Sequence, residues 1–195
     1  PYLPIDPGDV GRQYETDVIR INSQSGKGGI GYLLEHQFGY DLPKKMREDV
    51  GYTVKSISDH AHAELSPDEV LKAFTDNYIN INTPIKLIDY HFFRSESIKV
   101  MLTVEMNGET KEVIANGNGR LDAVSNAVRD SLGVSFSELT YEEHALTIGS
   151  SSQAVSYVGI TLDNGKLVWG AGVNDDIIAA SINALFSAIS RGLQA

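Results

Sequence analysis

Cysteine is absent from the chain. That excludes disulfide staples and thiolate chemistry, and it favours a reducing compartment such as the cytoplasm. There is also no apolar run approaching the roughly 18–20 residues of a membrane span, and no signal peptide. Basic residues are scarce, with 16 Lys and Arg against 26 Asp and Glu and a formal net charge of −10. Such a balance argues against a nucleic-acid backbone or an anionic membrane as partner. An initiator methionine is missing too: the chain opens Pro1-Tyr2-Leu3-Pro4, which reads as a piece of something longer. What is present is ordinary for a globular protein. Hydrophobic residues make up 42% of 195 positions, room for one large or two small domains whose core needs no staple.

The pattern changes once along the chain. Residues 1–13 hold three prolines and two glycines and read as an extended lead-in. A strand is predicted over Tyr14–Asn22, a polar glycine-rich turn over Ser23–Gly29, and a short helix over Ile30–Phe38 stopped by Gly39. A second helix is predicted from Lys44 to about Ala63, led in by Pro43. Ser66-Pro67-Asp68-Glu69 marks a third helix start: Ser as N-cap, Pro at the first helical position and Glu at the third. Val70, Leu71, Phe74 and Tyr78 then recur at helical spacing. Asn80 to Pro84 is the expected boundary, giving a small helix-rich unit over 1–82 and a second domain over 84–195.

The second domain repeats itself. Strands are predicted over Ile85–Phe93, Ile98–Met106 and Lys111–Ala115, then a helix from about Arg120 to Leu132. A second set follows: His144–Ile148, Ala154–Leu162, Lys166–Trp169 and a helix from about Asp175 to Ser190. Asn107-Gly108 and Asn164-Gly165 supply matching hairpin turns. Gly117-Asn118-Gly119 and Gly170-Ala171-Gly172 stand 53 positions apart, and without gaps Asp122 falls on Asp175, Ala127 on Ala180 and Leu132 on Leu185. The expected fold is therefore α+β: a helical unit followed by two β-β-β-α repeats with pseudo-twofold symmetry. A duplicated unit offers an internal interface suited to a small ligand or to a second subunit.

Most chemical signatures fail on inspection. Ser25-Gly26-Lys27-Gly28-Gly29 lacks the phosphate-loop spacing, because Gly28 follows the lysine and no glycine stands five positions before Gly26. His60-Ala61-His62 would diverge on a helix, where only a strand or loop would aim both rings at one metal. His91 and His144 occupy matching places in the gap-free repeat, which favours a packing role. The Gly-x-Gly turns carry more. They let a ligand or neighbouring backbone approach, and the helix behind offers free N–H groups to a carboxylate. Asp122 and Asp175 just inside those helices read either as capping residues or as partners for a ligand ammonium. With an apolar wall from Leu121, Val124, Leu139 and Tyr141, such a site suits an apolar amino acid.

At these residues a resemblance emerges. Tyr2-Leu3-Pro4-Ile5-Asp6-Pro7, Arg20-Ile21-Asn22-Ser23-Gln24-Ser25-Gly26-Lys27-Gly28-Gly29, the Gly117-Asn118-Gly119 turn and the closing helix Ala180–Arg191 resemble the C-terminal part of 2-isopropylmalate synthases. The resemblance covers essentially the whole chain. It implies the end of a linker subdomain over 1–82 and a leucine-binding, dimerising regulatory domain over 84–195. A TIM barrel that binds a divalent metal, a 2-keto acid and acetyl-CoA would lie elsewhere in the protein. The family's metal string is His-x-His-Asn-Asp, from which His60-Ala61-His62-Ala63-Glu64 departs, so neither a metal nor another cofactor is expected in this segment. Carried over by the same resemblance, the leucine pocket falls on Gly117, Asn118, Gly119, Leu121, Asp122, Tyr141, Ala145 and Ser152. Two alternatives stay open: the equivalent region of citramalate synthase, answering to isoleucine, and a linker segment that completes a neighbouring active site.

Overall fold

The structure, a computed structural model, describes residues 27–146, 148 and 152–194. The lead-in, the strand expected over Tyr14–Asn22 and most of the turn after it lie outside the described residues. The chain divides into two compact units, Pro1–Phe74 and Thr75–Ala195. Among the described residues no helix is long and apolar enough to cross a membrane.

The first unit contains α1 (Lys27–Phe38), α2 (Lys44–Ala61) and most of α3 (Pro67–Tyr78). Helix α1 starts three residues before the expected Ile30, taking Gly28 and Gly29 into its first turn. Its buried Ile30, Leu33 and Leu34 lie on one face, as do Met46, Val50 and Val54 on α2, and burial of these stripes outweighs glycine's low propensity. Arg47 ties the connection down, reaching Asp41 at 2.6 Å, Glu35 at 3.1 Å and the Leu42 carbonyl at 3.0 Å. The predicted capping box at α3 is present: the Ser66 hydroxyl accepts from the Glu69 N–H at 3.2 Å, and Glu69 Oε1 accepts from the Ser66 N–H at 3.3 Å. Helix α2 ends one residue before His62, which sits left-handed at φ 50°. His60 is turned back to the Ser56 carbonyl at 2.7 Å. Among the described residues no group of three or more His, Asp or Glu is placed to hold a metal ion.

The second unit is built from two β-β-β-α repeats, so the α+β architecture read from the sequence is what the chain adopts. The first comprises β1 (Ile85–Arg94), β2 (Ile98–Met106), β3 (Glu109–Gly117) and α4 (Arg120–Leu132). The second comprises β4 (Phe136–Leu146), β5 (Gln153–Leu162), β6 (Leu167–Asn174) and α5 (Ile177–Gln194). Each sheet is a three-stranded antiparallel meander in sequence order. Val100, Leu102 and Val104 of β2, Val158 and Ile160 of β5, and the inner faces of α4 and α5 form one buried core. The start of the unit is fastened to the second repeat. Asn80, at φ 52°, donates its N–H to the Ala171 carbonyl at 2.9 Å along the edge of β6. Buried Ser187 and Ser190 of α5 donate to the carbonyls of Tyr78 and Ile85 at 2.8 and 3.0 Å.

Two local expectations need correction. Strand β4 begins at Phe136, not at His144, and stops at Leu146. A bulge between Ser137 and Thr140, with Glu138 at φ 47°, puts an extra residue into the strand and shifts its alternation, which hides it from a period-two reading. Gly170-Ala171-Gly172 does not open a helix either; it lies within β6, and α5 starts at Ile177. A Cβ on Gly172 would stand 2.0 Å from the Ala180 carbonyl oxygen, and one on Gly170 2.2 Å from the Ala188 nitrogen. These glycines let the Ala180, Ala184, Ala188 ridge of α5 lie directly on the backbone of β6.

The repeats therefore superpose with an offset other than 53. The helix starts Arg120 and Ile177, and the turn glycines Gly108 and Gly165, both stand 57 positions apart. Gly119 then corresponds to Asp176, and Asp122 no longer corresponds to Asp175. The strand registers carry the same correspondence outward. The row Tyr90–Leu102–Val113 matches Tyr141–Val158–Gly170, and Phe92–Val100–Ala115 matches Glu143–Ser156–Gly172. His91 and His144 are consequently not equivalent.

Candidate functional site

Helix α4 begins abruptly. Gly119 is its N-cap, in extended conformation at φ −147° and ψ 179°, and makes no side-chain cap hydrogen bond. The first intrahelical bond runs from the Ala123 N–H to the Gly119 carbonyl at 3.0 Å, so the N–H groups of Arg120, Leu121 and Asp122 precede the helical ladder. At the corresponding start of α5 the chain supplies its own cap: Asp176 Oδ1 accepts from the Ile178 N–H at 3.0 Å. One helix start is closed by a carboxylate and the other is open, although the unit is duplicated.

The open start borders a cavity of about 390 Å³. Its walls are Gly119, Arg120, Leu121 and Asp122 of the α4 start, Tyr141 and Glu143 of β4, and Ile177, Ile178, Ser181 and Ile182 of α5. Leu121 and the three isoleucines give it an apolar side. The α4 start contributes donor N–H groups, Arg120 and the Asp122 carboxylate, and β4 contributes the Glu143 carboxylate. Such an arrangement can hold a small zwitterion with a hydrocarbon side chain.

Four of the eight residues expected from the resemblance meet here: Gly119, Leu121, Asp122 and Tyr141. Gly117, Asn118, Ala145 and Ser152 do not line the cavity. Gly117 closes β3 against α4, where a Cβ would stand 2.4 Å from the Ala123 nitrogen. Asn118 donates its N–H to Asp122 Oδ2 at 2.8 Å, which engages that carboxylate in closing the turn. Ala145 pairs with Ala154 near the far end of β4, and Ser152 lies exposed before β5. Gly119 is different again. Nothing lies within 4 Å of a Cβ built on it, and its φ is one that any residue adopts. Neither packing nor backbone conformation accounts for a glycine there.

The sequence reading did not find Arg120, Glu143 or the α5 wall. The signal was available in the isoleucine pair Ile177-Ile178, which answers Arg120-Leu121 once the repeats are shifted to the 57-residue offset. On the opposite flank, Tyr90 is the counterpart of Tyr141. Its hydroxyl pKa is raised, chiefly by burial and then by the charges of Asp176 and Asp89.

With this geometry in place, kinship is decisive. Residues 64–193 match the LeuA allosteric (dimerisation) domain. The chain belongs to that family. Residues 1–35 match a second family, the alpha-isopropylmalate synthase post-catalytic domain-like segment. Curated relatives agree across nearly the full chain. A 2-isopropylmalate synthase of Desulfitobacterium hafniense (strain Y51) is 54% identical, covering 97% of this chain and 34% of the relative. Another from Helicobacter hepaticus is 48% identical over 98% of the chain and 36% of its own length. A third, from Agrobacterium fabrum, is 41% identical over 100% of the chain and 35% of its own length. The chain thus spans about a third of the length of these relatives, and its resemblance to 2-isopropylmalate synthases holds along all of it.

Proposed function

We propose that this chain is the feedback-sensing and dimerising segment of a 2-isopropylmalate synthase, and that the cavity at the α4 start takes leucine. The observation that carries the reading is the uncapped helix start beside an apolar wall. Charge-assisted hydrogen bonds from its N–H groups to a carboxylate are worth about 1.5–3 kcal/mol each. Burying an isobutyl side chain against Leu121, Ile177, Ile178 and Ile182 adds about 1.5–3 kcal/mol, so clamp and wall weigh equally. In the full protein, condensation of acetyl-CoA with 2-ketoisovalerate and its divalent metal belong to a separate catalytic barrel, and this segment contributes regulation alone. Assembly as a homodimer accords with the family's dimerisation domain. It also accords with the outer face of the β1–β3 sheet, where Phe93 and Ile114 are 51% and 57% exposed.

Thermal melting with added branched-chain amino acids tests the ligand. Leucine at a hundredfold excess over its dissociation constant stabilises a binding-competent fold by about 2.7 kcal/mol, with valine and isoleucine weaker. A melting curve indifferent to all three refutes the sensor reading, and a larger shift with isoleucine reassigns the ligand. Sedimentation should return a dimer at tens of micromolar; a monomer there removes the assembly half of the proposal.

A further inference from the structure

We infer that Glu143 is the group by which this cavity reads an α-ammonium, so that it takes the zwitterionic amino acid and rejects the same carbon skeleton lacking the amine. The inference rests on the ligand reading above and assigns a role that Asp122 was expected to fill. Asp122 is engaged in the turn, its Oδ2 accepting from the Asn118 N–H at 2.8 Å. Glu143 is the other carboxylate at the cavity. Among the described residues it makes no ion pair, and its one side-chain hydrogen bond is from the Ser181 hydroxyl at 3.4 Å. That hydroxyl is already directed to the Ile177 carbonyl at 2.9 Å, so Glu143 keeps its acceptor capacity for a ligand cation.

The broken symmetry of the duplicated unit gives independent support. On the β1 side the counterpart of Glu143 is Phe92, and the counterpart of Gly119 is Asp176. There the helix start is closed by Asp176 itself, whose charge also raises the Tyr90 pKa. A zwitterion brought to that side meets a carboxylate where its own carboxylate would go, and an aromatic ring where its ammonium would go. The β4 side has the two charges in the opposite and fitting order. Each chain accordingly offers one amino-acid site, not two.

Calorimetry with leucine, 4-methylpentanoate and 4-methyl-2-oxopentanoate on the wild-type chain and on Glu143→Gln is the test. Losing a charge-assisted bond should weaken leucine by about ten- to hundredfold, while the two acids without an amine change by less than about threefold. Glu143→Asp, which keeps the charge, should recover part of the leucine affinity. Melting of ligand-free Glu143→Gln should match wild type, because the side chain is exposed on an edge strand. An undiminished preference for leucine in Glu143→Gln overturns the inference and leaves the pocket reading standing. Two leucines bound per chain would overturn the asymmetry argument. Wild-type protein that binds no leucine removes both this inference and the function it rests on.

Discussion

Gly119→Asp should leave the fold intact while abolishing leucine binding, because the change imports into the first repeat the cap that the second already has. The extended backbone at φ −147° accepts any residue, and a Cβ there meets nothing within 4 Å. An aspartate at an N-cap is better than glycine by a few tenths of a kcal/mol. Its charge at the positive end of α4 adds about 0.3–1 kcal/mol. Repulsion from Asp122 across the turn offsets part of this, leaving ligand-free stability unchanged or raised by up to about 1 kcal/mol. For a unit of this size that is a rise of at most about 5 °C in Tm. The new carboxylate would occupy the N–H groups proposed to hold the ligand and repel the ligand's own. Two lost charge-assisted bonds, at about 1.5–3 kcal/mol each, weaken leucine by more than about a hundredfold. Thermal melting with and without leucine reads both effects at once. A variant that melts like wild type yet keeps its leucine shift would show that the open helix start is not the carboxylate site.

Gly172→Ala should behave in the opposite way. Its methyl would stand 2.0 Å from the Ala180 carbonyl oxygen and 2.6 Å from the Ala184 nitrogen, so α5 must lift from β6. A loss of about 3 kcal/mol or more is expected, seen as a large drop in Tm with or without leucine; an unchanged Tm would mean that the helix moves freely on the sheet. The chain on its own should release no thiol from acetyl-CoA in the presence of 2-ketoisovalerate and a divalent metal. Turnover above background would place catalytic groups in this segment.

Much of the architecture was legible because it is local. The Asn107-Gly108 turn, the Ser66–Glu69 capping box and the strand runs of β2 and β5 are written in neighbouring residues, and each element formed where its period placed it. The duplication was legible for the same reason, since the same order of periods occurs twice. Its register was not. The gap-free comparison at 53 positions matched like letters and so aligned two Gly-x-Gly strings that serve different ends: one closes a strand beneath a helix start, the other seats a helix on a strand.

What the tertiary structure alone decided is which residues face one another across the repeat. Glu143 lies on a strand whose alternation is interrupted by a bulge, and Ile177, Ile178 and Ser181 lie on a helix that begins 57 residues after its twin. Their meeting with Gly119 depends on packing both helices against two sheets around a single core. No local period encodes that, because burial is settled by contacts between residues far apart in sequence. The chain's own residues thus fixed the two repeats and the glycine at the helix start. Folding determined that one of the two starts is closed by Asp176 and that the other opens onto an apolar wall and the Glu143 carboxylate.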